Sequence, residues 1–188
     1  MRGVTDNARV DVETCASVEI PTPIGPLGVV VTARGVLAVG LGGLTSAEQA
    51  ARSLNGLVPG SLPGPVERVR GELGEYFEGM RQAFTVPIDW RLSSGYALEV
   101  RRMLAETVAY GDTISYSGLA RLVRDEDVEG RDGAARAVGR AMATNPVPLL
   151  VPCHRVLAAD GSLHGFGGGL EMKRRLLALE GAVPATLF

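Results

Sequence analysis

Between residues 17 and 43 short apolar runs alternate with turn-forming clusters. Residues 18–20 lead into the Pro21-Thr22-Pro23-Ile24-Gly25-Pro26 turn region. The runs Leu27–Thr32 and 36–41, rich in β-branched residues, then flank Ala33-Arg34-Gly35, which predicts a hairpin. Residues 45–54 predict a helix with Thr45 or Ser46 as its N-cap. A Pro/Gly-rich loop over 58–65 comes next. Apolar positions Val66, Val69, Leu73, Tyr76, Phe77 and Met80 then recur at helical spacing and predict a helix over 66–84.

After a linker at 91–95 the pattern changes to helices. Residues 96–108 predict one, with Leu98, Met103 and Leu104 facing inward. A second spans 115–123, a polar loop covers 124–133, and a third helix runs over 134–144. Two helices joined by a loop ahead of a chemically loaded segment resemble a helix-turn-helix. The fold class expected is α+β. Residues 1–14 are expected to be a disordered N-terminus, residues 15–93 a small N-terminal domain of β-sheet with helices, and residues 94–188 a mainly helical C-terminal domain carrying the helix-turn-helix.

With 188 residues, 46% of them hydrophobic and 21% charged, the chain can bury a core without disulfides or metal. The net charge of −2 lacks the basic excess that marks many nucleic-acid binders, so any such contact must rest on locally placed Arg and Lys. The only cysteines, Cys15 and Cys153, lie far apart, which argues for reduced thiols and a cytoplasmic setting. With His154 and His164 as the other soft ligands, no metal site is expected. The first residues are polar, and no stretch has the length and apolarity of a membrane span.

The densest chemistry lies in Asn145-Pro146-Val147-Pro148-Leu149-Leu150-Val151-Pro152-Cys153-His154-Arg155-Val156. Pro146 disfavours helix at Asn145, and Pro148 and Pro152 are expected to keep the run extended and Cys153 on stiff backbone. A thiolate is the reactive form of cysteine, and His154 and Arg155 beside it are expected to lower its pKa from about 8.5. Adjacent side chains of an extended chain point apart, so Cys153 and His154 need a turn or a bridging water to meet. By itself the pair reads more readily as a buried structural cysteine followed by a surface His-Arg.

The Pro152–Val156 string resembles the active-site signature of the O6-alkylguanine-DNA alkyltransferases. Around it, in that family's order, stand Ile114-Ser115-Tyr116, Ala135-Arg136-Ala137-Val138-Gly139, the Asn-Pro-x-Pro lead-in, Gly167-Gly168-Gly169-Leu170, Lys173-Arg174 and Leu179-Glu180-Gly181. The similarity is strong over residues 95–182. In the N-terminal half it rests mainly on Pro23-Ile24-Gly25-Pro26-Leu27.

The resemblance implies direct reversal of DNA damage: irreversible, stoichiometric transfer of an alkyl group from O6-alkylguanine to Cys153, with no cofactor. It implies that His154 takes the thiol proton through water and that Glu180 holds the imidazole. Tyr116 would donate to a ring nitrogen of the departing guanine, and Asn145 would brace the site. Met142, Val156, Phe166 and Gly167 would form the base pocket, with the Cys153 and Val156 carbonyls accepting from the guanine amino group. Gly167 and Phe166 depart from the hydroxyl residue and the tyrosine frequent in the family, which puts the substrate range in doubt. On the third helix, Ala134, Ala135, Ala137 and Gly139 would approach the minor groove, and Arg136 would fill the gap left by the flipped base.

Each residue also has a plainer reading: a solvated Glu180, a half-buried Tyr116, a helix-capping Asn145, a core Met142, a surface Arg136, and small residues that only let helices pack. The implied partner is double-stranded DNA carrying O6-alkylguanine, with neither membrane nor stable protein partner. Two rivals stand beside this reading: a lesion-binding relative, which would lack the cysteine, and a turning-over cysteine hydrolase built on Cys153, His154 and Glu180. The acidic stretch 124–132 should point away from phosphates.

Overall fold

A computed structural model describes residues 12–123 and 130–184, with the side chains of 130–132 left aside. Its first half is built on a four-stranded sheet in the order β3-β2-β1-β4. Strands β1 (Glu13–Ile20), β2 (Leu27–Thr32) and β3 (Gly35–Leu41) form an antiparallel meander, and β4 (Leu57–Pro59) joins β1 in parallel. The expected hairpin is present. Every residue of β2 is buried, because the sheet is covered on both faces, and strands covered on both faces read as continuous apolar runs. Helix α1 (Leu44–Ala51) covers one face through Ala47 and Ala51 against Val30, Leu37 and Ala38. Helix α2 (Pro63–Phe77) joins the other face, where Val69, Leu73 and Tyr76 share a core with Val29, Val31 and Val39.

Several boundaries differ from the sequence pattern. Strand β1 starts at Glu13, so Glu13 and Thr14 are ordered by pairing; residues 1–11 lie outside the described ones. Helix α1 is capped by Gly43 rather than by a hydroxyl, and the Ser46 hydroxyl instead donates to the Gly43 carbonyl. The stretch expected as loop holds β4 and the start of α2, where Pro63 suits a first turn that needs no N–H partner. That helix stops at Phe77, not Phe84. Gly79, at φ 74°, takes the left-handed conformation that closes a helix, its N–H donating to the Tyr76 carbonyl and that of Met80 to Glu75. Met80 then sits exposed.

A 3₁₀ turn (Trp90–Leu92) occupies part of the expected linker and leads into α3 (Gly95–Thr107). The buried face of α3 is Val100, Arg101 and Leu104, while Leu98 and Met103 are only half-buried. Helices α4 (Tyr116–Val123) and α5 (Gly130–Ala143) pack on α3 and on each other as the expected helix-turn-helix pair, with α5 beginning four residues before Ala134. Most of the acidic stretch, residues 124–129, lies outside the described residues, as do the side chains of 130–132. Strands β5 (Ile114–Ser115) and β6 (Val156–Leu157) pair in parallel and bring the start of α4 beside the cysteine segment. Helix α6 (Gly169–Leu179) closes the chain over that segment. No described helix is long and apolar enough to cross a membrane.

Candidate active site

The cysteine segment is folded, not extended. The Val151 N–H reaches back to the Val147 carbonyl at 2.9 Å, and Leu149 holds a left-handed φ of 75°. A branched side chain rarely adopts that backbone, and the surrounding contacts hold it there. The Val39 N–H of β3 donates to the Pro146 carbonyl at 2.7 Å, and Leu149 is buried in the shared core. The cysteine then opens a 3₁₀ turn, Cys153–Arg155, so Cys153 and His154 are not on opposite sides of a strand. A turn here is one of the two routes, with a bridging water, that the sequence reading left open for the pair to meet.

Cys153 lines a pocket of about 330 Å³ together with Tyr116, Gly139, Met142, Phe166 and Gly167. Tyr116 arrives on the first turn of α4, whose start is fixed by the Ser115 hydroxyl accepting from the Gly118 N–H at 3.0 Å. The Asn145 side-chain amide donates to the Cys153 sulfur at 3.2 Å and to the Val151 carbonyl at 2.9 Å, while its oxygen accepts from the Val147 N–H. Asn145 therefore ties the segment together and touches the Cys153 sulfur. Val156 differs from expectation. It is fully buried beside the pocket rather than lining it, and its carbonyl already accepts from the Lys173 ammonium at 2.7 Å.

Behind the thiol lies a buried charge cluster centred on Glu180. Its Oε1 accepts from Tyr76 (2.6 Å), His154 Nε2 (2.9 Å) and Arg155 (2.9 Å), and Oε2 accepts from Arg155 Nε at 2.8 Å. Burial opposes a charge on Glu180, but the donors from His154, Arg155 and Tyr76 override it and hold the carboxyl at about 2. An ionised Glu180 selects the tautomer of His154 with its proton on Nε2. Burial pulls the His154 pKa down despite Glu180, so the ring is neutral near pH 7. Its Nδ1 is buried without a partner among the described residues, a bare acceptor on the ring next to the thiol in sequence.

Arg155 is turned away from the sulfur, towards Glu180 and the Val108 carbonyl, so it does not activate the thiol as its position in sequence suggested. Burial pushes the Cys153 thiol up; the Asn145 hydrogen bond and the charges of Lys173 and Arg101 pull it back only in part. The resting pair is therefore neutral thiol and neutral imidazole. Burial also raises the Tyr116 phenol, with the sulfur adding to it, so Tyr116 keeps its proton.

On α5, Arg136 is exposed and Ala134, Ala135 and Gly139 are half-buried, whereas Ala137 is buried with Val138 and Ala141. The presented strip is thus narrower than the run of small residues suggested. The sequence reading gave no role to Tyr76, Arg101 or Lys173. Each carried a signal, a polar or charged residue within an apolar helical stripe: Arg101 three before Leu104, Lys173 three before Leu176, and Tyr76 three after Leu73.

Residues 96–182 match the family model described as 6-O-methylguanine DNA methyltransferase, DNA binding domain. A methylated-DNA–protein-cysteine methyltransferase of Mycobacterium tuberculosis is 38% identical over 169 residues, covering 89% of this chain and 94% of its own length. A crystal structure of a Mycobacterium tuberculosis O6-methylguanine methyltransferase superposes with a TM-score of 0.72 at 34% identity, over 92% of this chain and 96% of that one. A structure of the Mycobacterium tuberculosis protein in complex with DNA matches with a TM-score of 0.69 at 34% identity, over 89% and 92% of the two chains.

Proposed function

The chain belongs to the O6-alkylguanine-DNA alkyltransferases, single-turnover proteins that reverse DNA damage by moving a methyl group from guanine O6 onto a cysteine of their own, and we propose that Cys153 is that cysteine. The observation that carries the assignment is the placement of its sulfur. Cys153 lines a pocket, held by Asn145 at 3.2 Å, on a turn whose next residue is tied to Glu180.

His154 Nδ1 takes the thiol proton through a water molecule, and ionised Glu180 stabilises the imidazolium that results. The sulfur lone pair attacks the alkyl carbon of the flipped base in line with the C–O6 bond. The S–C bond forms, the C–O6 bond breaks, and its electron pair passes to the guanine. The Tyr116 phenol donates its proton to a ring nitrogen of that anion. Met142, Phe166 and Gly167 wall the base, α5 meets the minor groove, and Arg136 fills the stack where the base has left. The damaged base is itself the alkyl donor, so no cofactor takes part, and the need for a reduced thiol fits a cytoplasmic protein.

The test is the intact mass and peptide map of the protein after incubation with duplex DNA containing O6-methylguanine. One methyl group per molecule, on Cys153, is expected. A label on Cys15, or repaired base in excess of protein, would refute the assignment.

A further inference from the structure

We infer that Arg101 is a positioning residue for the Cys153 thiolate, a buried guanidinium that covers the end of α5 nearest the sulfur and faces a charge that exists only during reaction. The inference rests on Cys153 being the alkyl acceptor. Arg101 is 2% exposed, in the apolar stripe of α3. Buried charges are ordinarily paired with an opposite charge, because desolvating one alone is costly. Among the described residues, however, no carboxylate meets Arg101. Its bonds go to the carbonyls of Ala141 (3.0 and 3.2 Å) and Thr144 (2.6 Å) and to the hydroxyls of Thr144 (2.7 Å) and Ser93 (2.8 Å).

Those carbonyls belong to the last turn of α5 and the residue beyond it, where unpaired C=O groups concentrate the negative end of the helix dipole. The same turn supplies Met142 and Ala143 to the pocket and hands the chain to Asn145, whose amide touches the sulfur. A thiolate formed there would lie next to carbonyl oxygens that repel it. The guanidinium bonds them, fixes the approach of Asn145, and places a positive charge where the dipole alone would be negative. Consistently, the charge of Arg101 is among those that pull the buried thiol down.

The other charged or titratable groups around the sulfur are Lys173 from α6, Tyr116 from α4, and His154 with Glu180 and Arg155 behind it. None of them bonds a carbonyl in the last turn of α5.

Two variants separate charge from scaffold. Arg101→Gln removes the charge but keeps an amide able to donate to Ala141 or Thr144, and Arg101→Lys keeps the charge but loses the fork of donors. Transfer from free O6-benzylguanine, which needs no DNA, is read as mass gained on Cys153 between about pH 6 and 9, beside thermal melts. Both variants are expected to melt earlier. Only the Gln variant is expected to move the rise of rate with pH upward, becoming about tenfold slower at pH 7, the loss that a tenfold smaller thiolate fraction gives. Equal shifts in both variants, or a shift in neither, overturn the inference and leave Arg101 as a strut for α5. If the Gln variant does not fold, Arg101→Met supplies the charge-free arm in its place: an upward shift absent from the Lys variant supports the inference, and equal shifts or none overturn it. A wild type that gains no mass on Cys153 sinks the parent assignment as well, whereas a failure confined to the variants touches Arg101 alone.

Discussion

Glu180→Gln removes the charge at the centre of the buried cluster while keeping its shape. In the folded protein the carboxyl titrates at about 2, against about 4.3 for an unperturbed glutamate. A group whose folded-state pKa lies below its unfolded one stabilises the fold fully above the unfolded value and loses that contribution as pH falls towards the folded value. The difference corresponds to about 3 kcal/mol at neutral pH, similar to the cost of leaving a buried partner such as Arg155 without its counter-charge. Urea unfolding at pH 7 should therefore find Glu180→Gln less stable by about 3 kcal/mol. The gap should hold down to about pH 5 and close by roughly 2 kcal/mol at pH 3, where the unfolded wild type has gained its proton and the folded one has not. Glu72 and Asp89, also held below the usual carboxylate range by their donors, titrate in both proteins and cancel in the difference. A gap that stays constant between pH 7 and 3 would refute the reasoning, because Glu180 would then not be ionised well below its ordinary range.

His154→Ala should slow transfer from O6-methylguanine DNA sharply at pH 7 and recover in part as pH rises, since hydroxide can supply thiolate once the internal base is gone; a wild-type rate at pH 7 would remove His154 from the chemistry. Arg136→Ala should slow transfer from duplex DNA far more than from free O6-benzylguanine, and equal slowing on both would move Arg136 from the DNA to the pocket. Gly111→Ala should cost about 1–3 kcal/mol in thermal or urea unfolding. Gly111 holds φ at 83°, and an added methyl would stand 3.1 Å from the Glu180 carbonyl oxygen; unchanged stability would mean that this turn relaxes freely.

The elements were legible wherever a local rule decides them. The β2–β3 hairpin follows from two β-branched runs around a short turn, and α2 follows from apolar residues at helical spacing. Boundaries failed where a backbone cap, not a side chain, sets the end, as at Gly43 and Gly79. Cys153, His154 and Glu180 could be named because motif order carries them, but their electrostatics could not. Nothing in Pro-Cys-His-Arg says that Arg155 turns from the sulfur to Glu180, or that the thiol is buried deeply enough to be raised. Likewise, Pro148 and Pro152 suggested an extended run. The left-handed Leu149 depends on packing against a sheet more than a hundred residues earlier in the chain, which no local pattern contains.

The hydrogen bond from Tyr76 to Glu180 spans 104 positions of sequence. It joins a helix of the first half to the carboxylate that bonds His154. The cluster behind Cys153 is therefore not a portable cassette. Residues 96–182, moved alone onto another scaffold or expressed as a fragment, would leave behind the phenol that donates to Glu180 at 2.6 Å, and with it the β3 N–H that holds Pro146. A chimera assembled from two relatives would keep the bonded Glu180 only if α2 and the end of α6 came from compatible parents, so recombination is constrained at a seam between two helices distant in sequence.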